Sequence, residues 1–412
     1  MAEWERIVVT GVGAVSPLGL TAEALREGLK AGRSGVGPIT CFDAGELPIK
    51  IAAEVKGFDP RNYMGRKLAR RVGRPGQFAI AAAGEALAMA DLEVRAGHTS
   101  RMGVVLATSG GFFNTADHAI RLRKQGPCRL DTFFITRNGP HMPACQVGSF
   151  FGLQGPNSTL NSACASGSDA IGVALMHLRQ GHADVMLAGG TEAIIVPLGI
   201  ALMGHLGVLS RRNDEPARAS RPFDRERDGF VLGEGAAMLV LETEGHALRR
   251  GAPILAEVAG AGWSFDAYDD TAPSSEGQAR AISSALQHAG LSPQEVDYIN
   301  AHGTSTRLND KAETEAIKRV FGERAYQIPV SSSKSMTGHL ACAAGALEAV
   351  TCVFVLREGI LPPTINYEFP DADCDLDYVP NEAREQEVEV CLSNSFGLGG
   401  QNACLVLRRV SS

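Results

Sequence analysis

The chain predicts an α/β protein whose sheets are parallel and covered by helices on both faces. Three observations carry that expectation. Short apolar strand-like runs alternate with helix-like runs along the chain. The same order of elements restarts near Pro253, so residues 1–252 and 253–412 read as two similar halves. Forty-seven glycines among 412 residues supply many tight turns and close backbone approaches.

Arg6 to Gly11 reads as a first buried strand closed by a glycine turn, followed by a helix from Ala22 to Ala31. A helix from Gln77 to Ala90 precedes the strand Gly103 to Ala107. Ser158 to Asn161 leads into Cys164, Val185 to Gly190 is a further apolar run, and Ala236 to Leu241 ends the first half. In the second half the strands are Ile254 to Val258, Tyr298 to Ala301, Pro329 to Ser332, Val388 to Leu392 and Ala403 to Leu407. Helices Gly277 to Ala289, Asp310 to Phe321 and Ala341 to Arg357 lie between them. Leu209 to Asp228 and Pro362 to Glu387 read as long ordered loops over the core.

Bulk composition excludes several classes of function. Hydrophobic content of 44% and charged content of 21% describe a globular chain. A formal charge of −7 gives no basis for general nucleic-acid affinity. Met1 to Arg6 is too acidic for a signal peptide, and the longest apolar stretch, Ala193 to Met203, is interrupted by Pro197 and too short for a membrane span. Nine cysteines show no C-x-x-C pair and no ligand spacing, which fits a reducing compartment, the cytoplasm.

Chemistry concentrates in four segments. Cys164 lies in Asn161 to Gly167, ahead of a helix with Ile171, Leu175 and Leu178 on one face. A cysteine at a helix N-terminus meets unpaired N–H groups and the positive dipole end, which favour thiolate. A buried core cysteine is the competing reading of that segment taken alone. His302 and His339 each follow a strand-like run and precede a helix, the edge at which open α/β sheets deliver side chains to a ligand. Lys334 lies five residues before His339, and Glu313 eleven after His302. The turn Ser393 to Asn402 is either a plain hairpin or a device that aims a backbone N–H at a reacting oxygen. One thiol and two imidazoles delivered this way suggest covalent thioester chemistry.

In this order, Asp224 to Gly235, Ala301 to Thr306, Lys334 to His339 and Asn394 to Gly397 resemble the elongating Cys-His-His class of β-ketoacyl-acyl-carrier-protein synthases, nearest the synthase II type. The likeness runs over nearly the whole chain. It implies a thiolase-like fold, with two α/β halves stacked as five αβαβα layers, and a cytoplasmic homodimer. It implies an acyltransferase that condenses malonyl carrier protein, with loss of carbon dioxide, onto an acyl chain held on Cys164. The product would be the 3-oxoacyl carrier protein of fatty-acid elongation.

The same resemblance assigns roles. His302 and His339 would promote decarboxylation, and Lys334 with Glu313 would order the polar network. Backbone N–H groups of Cys164 and Phe396 would form an oxyanion hole, with the Phe396 side chain as a gate. Thr304 and Thr306 would bind the pantetheine arm, and Phe230 and Gly110 would contact substrate. No metal or redox cofactor is required, although relatives carry a monovalent cation at positions matching Asn300, Glu348, Ser393 and Asn402. The basic cluster Arg66, Lys67, Arg70, Arg71 and Arg74 would dock the acidic carrier protein.

Departures from the family pattern concern substrate identity. Gly110 falls near a position where relatives carry a bulky aliphatic, which opens the acyl entrance. Leu398, Gln401 and Asp269 replace a usual phenylalanine, a frequent threonine and a frequent histidine, and Thr136 to Met142 is atypical. The competing function is the catalytic ketosynthase of a discrete (type II) polyketide or polyene synthase, paired with a chain-length partner. A non-catalytic partner subunit is disfavoured by the presence of Cys164, His302, His339 and Lys334. A thiolase is disfavoured by Phe396-Gly397-Leu398, and an initiating synthase by His339.

Overall fold

The computed structural model describes residues 5–94 and 99–410. The reading of Met1 to Trp4 lies outside the described residues. Ten strands are joined edge to edge: β1 (Ile7–Val15), β2 (Met102–Ala107), β3 (Asn157–Leu160), β4 (Val185–Glu192), β5 (Gly235–Thr243), β6 (Ala256–Phe265), β7 (Tyr298–Asn300), β8 (Val330–Ser331), β9 (Val390–Phe396) and β10 (Gln401–Arg408). Their order is β3-β2-β4-β5-β1 in the first half and β8-β7-β9-β10-β6 in the second, so both halves follow one pattern. In each, the second strand pairs in parallel with the third and fourth, and the remaining pairs are antiparallel. The sheets are therefore mixed, where the alternation of strands and helices suggested parallel ones. Val8 opposite Glu257 and Val9 opposite Ala256 join the halves.

Period-two alternation divides each strand between two cores. In β2, Val105 and Ala107 face the central layer, while Met102, Val104 and Leu106 face the outer one. Helix α1 (Arg74–Met89) covers the outer face of the first half. Helices α3 (Ser275–Ala289) and α4 (Arg307–Phe321) cover that of the second. Between the sheets lie α2 (Ser166–Arg179) and α5 (Ala344–Glu358). The result is five layers. Helix α5 is buried nearly all round, from Ala344 to Leu356, because it packs against sheet or helix on every side.

The N-terminal ends of α2 and α5 touch, and this contact requires glycine. A Cβ on Gly167 would lie 2.5 Å from the Ala346 nitrogen, and one on Gly345 would lie 2.5 Å from Ser168 Oγ. That approach brings the first half's Cys164 turn against the second half's His339 turn.

Several element boundaries differ from expectation. The first strand, read as closing in a glycine turn at Gly11, runs on as β1 to Val15, because β5 pairs with it to that end. The strand read as Ile254 to Val258 extends as β6 to Phe265, because β10 pairs along its whole length. The strand read as ending at Leu392 continues as β9 through Phe396, so the turn is confined to Gly397–Gly400. Cross-strand pairing overrides the weak β-propensity of Ser393, Asn394 and Ser395. Among the described residues no helix is long and apolar enough to cross a membrane.

Candidate active site

Ahead of α2 the chain makes a strained turn. Ala163 has φ of +51°, a left-handed conformation costly for a residue with a Cβ. Buried Ser166 holds it: its Oγ accepts from the Ser162 N–H at 2.8 Å and donates to the Ala163 carbonyl at 2.5 Å. The turn presents the Cys164 thiol to a cavity of about 440 Å³. The expected helix-dipole thiolate is not what the structure shows. Burial pushes the thiol up, opposed by a hydrogen bond from the Leu398 backbone and by the Lys334 charge. Cys164 sits just before the helix, and the Ala165 and Ser166 N–H groups are already paired with Ser162 and Ala163 carbonyls. The positive helix end therefore reaches the sulfur only weakly.

His302 follows β7 on a loop clamped from α4. Glu313 Oε1 accepts the His302 backbone N–H at 2.8 Å, and Oε2 accepts that of Gly303 at 2.7 Å. Asn394 Nδ2 adds a third donor to the same carboxylate at 3.1 Å. His339 is held by its backbone N–H, which donates to the Val231 carbonyl at 2.7 Å. Its Nε2 lies 3.0 Å from Cys164 Sγ. The two imidazole centroids are 5.4 Å apart, and the sulfur and ring nitrogens lie within 4.8 Å of one another. Burial and the Lys334 charge hold both imidazoles well below their ordinary range, with His339 a further cause for His302. Both rings are neutral at pH 7, so each can donate one N–H and accept at the other nitrogen.

Lys334 and Glu313, expected together to order the polar network, each hold a different part of it. The buried Lys334 ammonium forms an ion pair with Glu348 on α5, and Glu313 serves the His302 loop instead. Burial pushes both carboxyls up to about 7. Around them Asn300 Oδ1, Glu348 Oε2, Ser393 Oγ and Asn394 Oδ1 are buried without hydrogen-bond partners among the described residues. Asn300 and Ser393 are register partners on β7 and β9. The Asn300, Glu348 and Ser393 oxygens are of the kind that suits a hard cation. The amide nitrogen of Asn402 donates to Asp266 at 2.6 Å and to Ser264 at 3.2 Å.

The cavity is lined by Cys164, Phe230, His302, Thr304, Thr306, His339, Phe396 and Leu398. The Thr304 and Thr306 hydroxyls lie 2.9 Å apart, and Thr306 also caps α4 by accepting the Asn309 N–H. The Phe396 ring meets His302 at 5.8 Å, and the Phe230 ring meets His339 edge-on at 5.1 Å. The N–H of Leu398 is a donor that the sequence reading did not single out; the glycines flanking it were the only signal.

Gly110 opens no space. It does not line the cavity, its φ is +67°, and a Cβ there would lie 2.7 Å from the Pro140 Cα. Pro140 belongs to the atypical segment Thr136 to Met142, so the two unusual stretches pack on each other. The Asp269 carboxylate is occupied by the N–H groups of Thr271 and Ala272. In the basic cluster, Arg66, Lys67, Arg70 and Arg71 are exposed. Arg74 is committed elsewhere: its guanidinium holds Glu234 at 2.6 and 2.8 Å and lies over the Phe78 ring at 4.5 Å.

Comparison with known proteins agrees with this geometry. Residues 4–247 match the family model "Beta-ketoacyl synthase, N-terminal domain", and residues 255–368 match "Beta-ketoacyl synthase, C-terminal domain". The chain is 47% identical over 411 residues to a 3-oxoacyl-[acyl-carrier-protein] synthase 2 of Coxiella burnetii, covering 99% of each chain. It is 46% identical over 410 residues to the Synechocystis protein of the same name, again covering 99% of each. Among solved structures, the ishigamide ketosynthase/chain length factor superposes with a TM-score of 0.93 at 37% identity, covering 99% of this chain and 100% of that one.

Proposed function

The chain belongs to the beta-ketoacyl synthase family, and on that premise we propose how its residues carry out the condensation. It is a 3-oxoacyl-acyl-carrier-protein synthase, an acyltransferase of fatty-acid elongation. The convergence of Cys164, His339 and His302 in one cavity supports this reading most directly.

First, the Cys164 sulfur attacks the thioester carbon of an acyl carrier protein. Because burial raises the thiol, His339, in contact with the sulfur, takes its proton. The carrier thiolate leaves and takes that proton from His339, which is neutral again. Malonyl carrier protein then enters, and its thioester oxygen accepts N–H bonds from the two neutral imidazoles. Carbon dioxide leaves, and these donors stabilise the enolate. The enolate carbon attacks the acyl-Cys164 carbonyl, whose developing charge meets the Cys164 and Phe396 N–H groups. The Cys164 thiolate departs, 3-oxoacyl carrier protein is formed, and a proton from water restores the thiol. Asn300, Glu348 and Ser393 would hold a monovalent cation that steadies the ends of the strands leading to His302 and Phe396.

The partners complete the proposal. Acyl carrier protein docks on Arg66, Lys67 and Arg70, exposed and without an ion pair among the described residues. The enzyme acts in the cytoplasm as a homodimer, for which the half-exposed sheet edge β3 is the natural contact. Structural likeness to the ishigamide ketosynthase favours a second reading, a type II polyketide or polyene ketosynthase acting with a partner subunit. Condensation by the purified chain alone supports elongation, whereas dependence on a second subunit supports the alternative. Cys164→Ala should abolish acyl loading while the fold persists. An acyl group found by mass spectrometry on another cysteine would overturn the assignment.

A further inference from the structure

Outside its reaction, the Cys164–His302–His339 cluster has a second chemical character. A thiol and two imidazoles with ligand atoms within 4.8 Å of one another form a Cys/His2 donor set, the type preferred by zinc. We propose that the resting enzyme binds one zinc ion, or a cation of similar softness, on Cys164, His302 and His339, and that this ion reversibly blocks the thiol until an acyl chain takes its place.

The geometry needs only small adjustment. Zinc–sulfur bonds of about 2.3 Å and zinc–nitrogen bonds of about 2.0 Å set tetrahedral edges of roughly 3.3–3.6 Å. Here His339 Nε2 is 3.0 Å from Sγ, so the sulfur and that ring would part slightly while His302 closes in. Both imidazoles are already neutral, the form that ligates. Binding displaces one proton, from the Cys164 thiol, and changes no oxidation state. Three protein ligands leave a fourth vertex facing the cavity, where water completes the tetrahedron.

Two features limit the affinity. Lys334 carries a positive charge nearby, though its ion pair with Glu348 neutralises much of it. The Nδ1 atoms of His302 and His339 have no hydrogen-bond partner among the described residues. Resident zinc sites usually anchor the distal nitrogen of each histidine. The site therefore suits a reversible inhibitor, not a permanent structural ion.

Cobalt(II), which replaces zinc and is coloured, is the probe. Titrating it into the whole enzyme should produce a thiolate-to-cobalt charge-transfer band that saturates at one equivalent per chain. Excess zinc should bleach the band, and EDTA should remove it and restore condensation. The band should be absent from Cys164→Ala and from wild-type enzyme alkylated at Cys164, and at least ten-fold weaker in affinity in His302→Ala. No thiolate band in wild-type enzyme, or a band that survives alkylation of Cys164, overturns the proposal. The alkylated protein keeps the wild-type sequence, so a folding defect cannot produce that result. Loss of condensation in variants leaves this test untouched, because its readout is the metal's own spectrum.

Discussion

Replacing Glu313 by glutamine separates the positioning of His302 from the stability of the fold. The carboxylate receives three buried donors: the His302 and Gly303 N–H groups and the Asn394 amide. Burial outweighs those bonds and raises its pKa from 4.5 to about 7. The ionised group at pH 8 therefore costs about 3 kcal/mol relative to the neutral one. Glutamine removes that cost and can keep its oxygen toward His302 and Asn394, but it turns an amide N–H onto Gly303. That mismatch costs about 1–3 kcal/mol. The two effects offset, so stability in urea at pH 8 should stay within about 2 kcal/mol of wild type.

Stability at other pH values follows from the direction of the shift. A carboxyl raised in the folded state contributes stability fully present below its unfolded value and lost as pH rises through about 7. Wild type should therefore lose ground to Glu313→Gln between pH 5 and 8. Activity should behave differently. Release of Gly303 lets the His302 ring drift, and a misplacement of about 1 Å costs on the order of 100-fold. Carbon dioxide release from malonyl carrier protein should fall about 10- to 100-fold, with acyl loading of Cys164 changed less than about three-fold. Intact-protein mass spectrometry reads the loading. Equal loss of both half-reactions, or undiminished decarboxylation, would refute the clamp.

The two histidines should be unequal. His339→Ala should slow both loading and decarboxylation, because its Nε2 lies 3.0 Å from the sulfur, whereas His302→Ala should spare loading; single-turnover assays with each carrier substrate distinguish them. Because burial depresses both imidazoles, their protonation should not limit decarboxylation between pH 8 and about 6; a fall in that range would follow protonation of Glu313 at about 7 and should be absent from Glu313→Gln. Arg66→Glu with Arg70→Glu should raise KM for acyl carrier protein but not for a small thioester analogue, and the effect should shrink in high salt. Gly110→Ala should destabilise the protein by about 1–3 kcal/mol without shifting chain-length preference, since its Cβ meets Pro140 and its φ is +67°. A changed length profile at unchanged stability would show that Gly110 lines the acyl path after all.

The sequence by itself determined which residues are candidates for the chemistry and the type of fold that carries them. Cys164, His302 and His339 each follow a strand-like run at a glycine-rich turn, and local patterning of that kind reflects backbone preferences that act within a few residues. The repeated alternation of strands and helices likewise announced an α/β chain in two similar halves. Tertiary structure decided what crosses the layers. Lys334 and Glu348 are fourteen positions apart yet form a buried ion pair, and Glu313 spends its charge on the His302 loop, because side chains choose partners by position in space. Gly110 read as open space until Pro140 packed into it. The thiol of Cys164 read as acidic from its helix, but its environment in the folded chain pushes it the other way. A dipole follows from local sequence, whereas desolvation depends on everything that the fold packs around the atom.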